Sequence, residues 1–114
     1  MEHCALAGSL PSALGIAVWL MGERERHTMV VARREVLHLR AGNIADLCRA
    51  LRLELVEVGT SNKTRADDYA QILKQQAGRC ALLEVRSPQV AVAGFTAQPS
   101  SAEMSAIADE HDCP

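Results

Sequence analysis

An α/β fold, a parallel βαβαβ sheet with flanking helices, is predicted by three features of this sequence. Three short, mainly apolar runs, Met29–Ala32, Leu53–Val58 with Glu54 and Glu57, and Cys80–Val85 with Glu84, each have the length of one strand. Segments of helical period stand before, between and after these runs. Two of the segments open on a capping box, Thr64-Arg65-Ala66-Asp67 and Ser100-Ser101-Ala102-Glu103, in which a hydroxyl and a carboxylate each bond the other residue's backbone N–H. Strands that alternate with helices pair in parallel through right-handed crossovers, so the three strands are expected to be adjacent or nearly so.

The first helix is expected over Leu10–Arg24, with Pro11 in its first turn, where its missing N–H costs nothing. It is apolar on nearly every face until Glu23, which predicts a helix buried against the sheet with Trp19 filling the core. After the first strand, Arg33–Gly42 reads as an irregular polar stretch. Asn43 then caps a helix to about Leu51, whose apolar stripe is Ile44, Leu47, Cys48 and Leu51. Gly59 ends the second strand. The third helix runs from the Thr64 box to about Gln75, with Gly78 closing the unit, and the last helix spans Ser101–Glu110. At Asp112-Cys113-Pro114 the rhythm calls for another strand.

Composition excludes several classes. The chain has 114 residues, room for one domain or part of one, and 48% of them are hydrophobic, which is globular rather than disordered. Aromatics are only 3%, so the core must be Leu, Val, Ile and Ala. With 12 basic and 14 acidic residues the net charge of -2 draws the chain to neither nucleic acid nor an anionic membrane. The uncharged run from Cys4 to Gly22 is too diluted by Gly, Ser and Pro for a membrane span and lacks the basic start of a signal peptide, so a cytoplasmic protein is expected. Cys4, Cys48, Cys80 and Cys113 form no C-x-x-C pair and read as separate, mostly buried thiols in a reducing compartment, with no metal site.

Ligands of open parallel sheets sit at the carboxyl ends of strands, so the loops Arg33–Gly42, Gly59–Thr64 and Arg86–Gln98 hold the candidates. Gly59-Thr60-Ser61-Asn62-Lys63-Thr64 lacks the second Gly before Lys that lets backbone amides wrap a nucleotide phosphate, and is not a P-loop. Its segment Val56-Glu57-Val58-Gly59-Thr60-Ser61-Asn62-Lys63-Thr64, followed by Asp68-Tyr69, is instead similar to the Val-Glu-Val-Gly-Thr-Thr-Asn-Arg-Thr segment and following Asp-Tyr of bacterial selenocysteine synthase, L-seryl-tRNA(Sec) selenium transferase. Val31-Ala32-Arg33-Arg34-Glu35-Val36 resembles that family's Val-Ser-Arg-Gly-Glu-Leu, and Gly94-Phe95-Thr96 matches a Gly-Phe-Thr beyond the third strand. Order and spacing agree from about Met29 to His111.

The resemblance implies residues 1–114 as a single, partial three-layer large domain of pyridoxal-phosphate (PLP) fold type I. It also implies the cofactor PLP, a tRNA substrate, and a homo-oligomer or docking onto a related subunit. Arg33, Glu35, Thr60, Asn62 and Thr64 become the cofactor-binding candidates. Each has a simpler role beside that one: the arginines Arg33, Arg34 and Arg40, with Arg24 and Arg26, interleave with Glu23, Glu25 and Glu35 as a solvated charged face, and Thr60, Asn62 and Thr64 suit turns and caps. The chain departs from the family at Leu10-Pro11-Ser12, at Arg34 in place of Gly, and at Arg86-Ser87-Pro88-Gln89-Val90 in place of His-Thr-Ser-Asn-Tyr. By the same resemblance the Schiff-base lysine and the aspartate on the pyridine nitrogen fall beyond Pro114, and a tRNA-binding domain before Met1. Neither Lys63 nor Lys74 inherits the lysine's role. No catalytic residue is therefore expected in this chain, and PLP is not expected to be held covalently. An interaction module docking through an open sheet edge is the alternative, and a small-molecule-binding α/β domain of unrelated function is a third.

Overall fold

The computed structural model describes residues 4–38, 44–60, 63–85 and 98–114. Helix α1 (Leu10–Glu23) starts where Ser9 Oγ accepts the Ser12 N–H at 3.2 Å. It leads into β1 (Thr28–Ala32), then α2 (Arg33–His38), α3 (Ile44–Ala50), β2 (Glu54–Val58), α4 (Ala66–Gln75), β3 (Cys80–Leu83) and α5 (Ser101–Glu110). The sheet is parallel throughout, in the order β2-β1-β3, with Thr28 beside both Glu54 and Cys80. β1 is paired on both sides and covered on both faces, which is why all five of its residues are buried.

Two crossovers run in opposite directions across the sheet, from β1 to β2 and from β2 back past β1 to β3. Right-handed connections then place their helices on opposite faces. The two cores follow that division, sorted by the two-residue period of the strands. Leu14, Val18 and Met21 of α1 pack with Met29, Leu53, Ala81 and, from α3, Ile44 and Cys48. On the other face Tyr69 and Leu73 of α4 and Met104 of α5 pack with Val30, Ala32, Val58, Cys80 and Cys113.

Several expectations are corrected. Trp19 is 55% exposed rather than core, because α1 buries only the stripe Leu14, Val18 and Met21 and turns Trp19 outward with Ile16 and Leu20. Leu51 lies past the end of α3 and is exposed, so the buried stripe there stops at Cys48. Arg33–His38 is helical rather than irregular, anchored by the buried Glu35. The α4 capping box is shifted by one residue: Arg65 is the N-cap, and Asp68 Oδ2 accepts the Arg65 N–H at 2.8 Å. Arginine has no acceptor with which to reciprocate, and Thr64 is left to be buried instead. At α5 the expected box is complete, with Ser100 Oγ accepting the Glu103 N–H at 3.2 Å and Glu103 Oε2 accepting the Ser100 N–H at 2.7 Å. β3 ends at Leu83, short of Val85, and the Asn43 cap lies outside the described residues.

α1, α3 and α5 close in the same way. After α3 the Leu53 N–H reaches Cys48 O at 2.7 Å and the Arg52 N–H reaches Arg49 O at 3.2 Å, the paired bonds of a Schellman motif. The left-handed residue this closure requires is Glu25, Arg52 and Asp112 in turn, at φ 55, 58 and 49. Where a fourth strand was expected, the chain returns to the outer edge of β3, and Pro114 O accepts the Leu82 N–H at 2.7 Å. No helix among the described residues is long and apolar enough to cross a membrane.

Candidate functional site

In the order β2-β1-β3 the connections diverge beside β1, and the crevice between β1 and β3 opens at the strands' carboxyl ends. Glu35 occupies it. Only 6% exposed, this residue of the first turn of α2 takes the Val85 N–H on Oε2 at 3.2 Å and Gln98 Nε2 on Oε1 at 3.4 Å. A buried carboxylate is tolerable only when bonded. These two bonds tie the end of β1 to the chain leaving β3 and to the approach to α5, so Glu35 holds the crevice in shape.

Arg33 stands two residues earlier, at the start of α2. Its Nε lies 3.9 Å from Glu57 Oε2 and its side chain is half exposed, a loose pair that leaves the guanidinium available to an anion. Beyond β2, Gly59 adopts φ +76, and a Cβ there would sit 2.7 Å from both Lys63 O and Thr64 Oγ1. Only glycine fits this close approach. Thr60 closes the turn: its N–H reaches Lys63 O at 2.8 Å, and its hydroxyl accepts the Lys63 N–H at 3.1 Å. Thr64, 2% exposed, carries a buried hydroxyl with no hydrogen-bond partner among the described residues. Such an atom costs about 1–3 kcal/mol where nothing bonds it.

Of the five candidates, the structure brings Arg33, Glu35, Thr60 and Thr64 to the carboxyl edge of one sheet, while Asn62 lies outside the described residues. So do Arg40 and the segment 86–97 with its Gly94-Phe95-Thr96. The arginines do not make one face. Arg24 and Arg26 precede β1 and lie at the opposite, amino end of the sheet, where Arg26 Nη1 donates to Asp112 O at 3.0 Å.

Sequence reasoning missed Gln98 and the Val85 amide as the partners of Glu35, because contacts 50 and 63 residues apart leave no local signal. It also read Cys80 and Cys113 as separate thiols, whereas their sulfurs approach to 3.2 Å. The signal available was positional: Cys80 begins the third strand and Cys113 stands where a neighbouring strand was due. Tyr69, under the same edge, is buried, and its phenol is pushed well above the usual tyrosine value by burial first and then by the carboxylates of Glu35, Glu84 and Asp68.

An open parallel sheet with polar loops gathered at its carboxyl edge is the architecture of a ligand-binding α/β domain, and such a fold does not by itself choose a chemistry. The sequence does. Residues 13–114 match the L-seryl-tRNA selenium transferase family, and this chain belongs to it. It is 36% identical over 87 residues to the L-seryl-tRNA(Sec) selenium transferases of Serratia proteamaculans and Yersinia pestis, and 34% identical to that of Yersinia enterocolitica. The matched stretch covers 75% of this chain and 18% of those relatives, so the chain spans only a small part of their length.

Proposed function

We propose that this chain supplies one portion of a PLP-dependent selenium transferase, the carboxyl-edge loops that cradle the cofactor, and does not itself convert seryl-tRNA(Sec). The observation that carries the reading is the buried hydroxyl of Thr64, which has no hydrogen-bond partner among the described residues and packs on Gly59 within a segment that resembles the family's. PLP would act there as an electron sink for a bond at the seryl carbon. This chain's part is binding: the Thr64 hydroxyl and the Arg33 guanidinium suit a phosphate, with Asn62 in the same loop, the Thr60 hydroxyl, which donates to Lys63 O at 3.2 Å, holds that turn, and the Glu35 carboxylate repels a phosphate and instead positions the crevice. Lys63 and Lys74 are both exposed, and a Schiff-base lysine works from a desolvated pocket. The same reading makes residues 1–114 part of one large domain, in a cytoplasmic assembly that meets tRNA through other segments.

Titration of the chain with PLP, followed by borohydride reduction and peptide mass analysis, tests this. Weak, exchangeable binding is expected, with Thr64→Val and Arg33→Ala each weakening it about tenfold and no adduct left after reduction. A stoichiometric pyridoxyl group on Lys63 or Lys74, abolished by Ala at that lysine, overturns the supporting role. Failure to bind PLP at millimolar concentration overturns the cradle.

The sheet edges favour a second reading, a docking module for a second copy or a related subunit. Among the described residues β2 has no neighbour on its outer side, and an exposed strand edge is a template for pairing. Sedimentation across a dilution series separates the two readings, since only docking predicts a concentration-dependent mass that Glu57→Pro abolishes: the Glu54 N–H bonds His27 O of the inner neighbour, so the alternate Glu57 N–H faces the open edge.

A further inference from the structure

We propose that Cys80 and Cys113 are a modification site, a pair that closes reversibly into a disulfide in exchange with a small disulfide carrying ammonium and carboxylate groups. The two sulfurs stand 3.2 Å apart in the core beneath α4 and α5, contributed by chain segments 33 residues apart. A disulfide needs about 2.05 Å between sulfurs, so closing the bond asks the two sulfurs to approach by about 1.2 Å. The backbone around Cys113 is already fixed: its N–H bonds Ala108 O at 2.8 Å, and the next residue's carbonyl takes the Leu82 N–H at 2.7 Å.

Access comes from the amino end of the sheet. A cavity of about 330 Å³ opens there, and its walls include Cys113 together with Arg24, Arg26, Asp109 and Asp112. Cys80 is fully buried and Cys113 is 4% exposed, so Cys113 is the sulfur that meets a solute and Cys80 the one that resolves. The two guanidiniums and two carboxylates match the mixed charge of a glutathione-type disulfide better than they match a simple anion or cation.

The exchange balances without any other reactant. Cys113 gives up its proton, and its sulfur attacks one sulfur of the small disulfide. That S–S bond breaks, and the departing thiolate takes the proton. Cys80 then attacks the Cys113 sulfur of the mixed disulfide, displacing a second small thiol that takes the Cys80 proton. The protein loses two hydrogens and one small disulfide becomes two thiols. Burial pushes the Cys113 thiol up to about 12, with Cys80 adding to the rise and Arg26 opposing it. The first attack is therefore slow while the tail is docked, as suits a thiol pair that is reduced at rest and oxidises under stress.

Cys4, exposed, and Cys48, buried in the core on the opposite face, serve as internal references. The 114-residue chain is incubated with glutathione disulfide, alkylated under denaturing conditions and analysed as intact protein and peptides. The expected product has lost two hydrogens, joins the peptides of Cys80 and Cys113, leaves Cys48 alkylated, reverts with dithiothreitol and melts at a higher temperature than the reduced chain. Cys80→Ser should accumulate glutathione on Cys113, and Cys113→Ser should form no internal link. Should Cys80→Ser fold poorly, the linked peptide of the unaltered chain still decides. Recovery of Cys80 and Cys113 as free thiols, or a link to Cys4 or Cys48 instead, overturns the proposal.

Discussion

On one face of the sheet α4 buries Tyr69 and Leu73 and turns Asp67, Gln71, Lys74 and Gln75 to solvent; on the other, α1 buries Leu14, Val18 and Met21 but leaves Ile16, Trp19 and Leu20 about half exposed. Both helices cover the same three strands with comparable buried stripes. They differ in the outer half, polar in α4 and apolar in α1. Helix period alone fixes which residues can meet the sheet, while the outward residues record whether that helix is finished against water. α4 has a finished outer surface, and α1 carries a second apolar stripe that solvent meets directly.

The largest effects should come from the two cores. Leu73→Ala is expected to cost about 2–5 kcal/mol in urea unfolding, because Leu73 is fully buried between α4, α5 and the sheet and the space cannot collapse. Leu14→Ala should fall at the lower end of that range, since nothing on the outer side of α1 keeps the helix from settling inward. A larger loss at Leu14 than at Leu73 would reverse the comparison.

An intermediate effect belongs to the α5 cap. Ser100→Ala should cost about 0.5–2 kcal/mol. The Glu103 carboxyl lies below its ordinary value of 4.5 because the Ser100 N–H, and then the Ser100 hydroxyl, bond its charged form. Its contribution is therefore present above that ordinary value and is lost as pH falls through the lower, folded one. An acid titration followed by helical circular dichroism should show this limb in the unaltered chain and lose it in Glu103→Gln.

The smallest change in stability is expected on the outer face of α1. Replacing Ile16 by Lys together with Trp19 by Glu should alter unfolding by no more than about 0.5 kcal/mol, as for exposed positions generally. The same pair should sharply reduce binding of an apolar dye and any self-association seen by sedimentation. A loss of several kcal/mol would show that this face is packed within the chain itself.

Met29–Ala32 was legible as a continuous apolar run, the pattern of a strand buried on both faces, and Leu53–Val58 and Cys80–Val85 as short, mainly apolar runs whose Glu54, Glu57 and Glu84 stand at exposed or half-buried positions. Gly59 and the Ser100–Glu103 box were legible because each has one stereochemical use. Helix ends were less so. The α1, α3 and α5 closures place Glu25, Arg52 and Asp112 in a left-handed conformation, where a sequence reading looks for glycine. Thr64 was misread as a cap because Thr64-Arg65-Ala66-Asp67 satisfies the pattern one residue early, and burial of its side chain against Gly59 decided the matter. At the candidate site the residue types were readable, but the use of Glu35 was not, since its partners Val85 and Gln98 come from the far end of the chain.

By itself the sequence determined the α/β class, the parallel pairing and the kinship to selenium transferases, because period, caps and local motifs are written in neighbouring residues. Tertiary structure decided which edge each strand takes, which half of α1 is covered, that Glu35 is a brace rather than a free carboxylate, and that two distant cysteines touch. Those outcomes depend on the crossovers that bring separated segments together, and no window of neighbouring residues contains them.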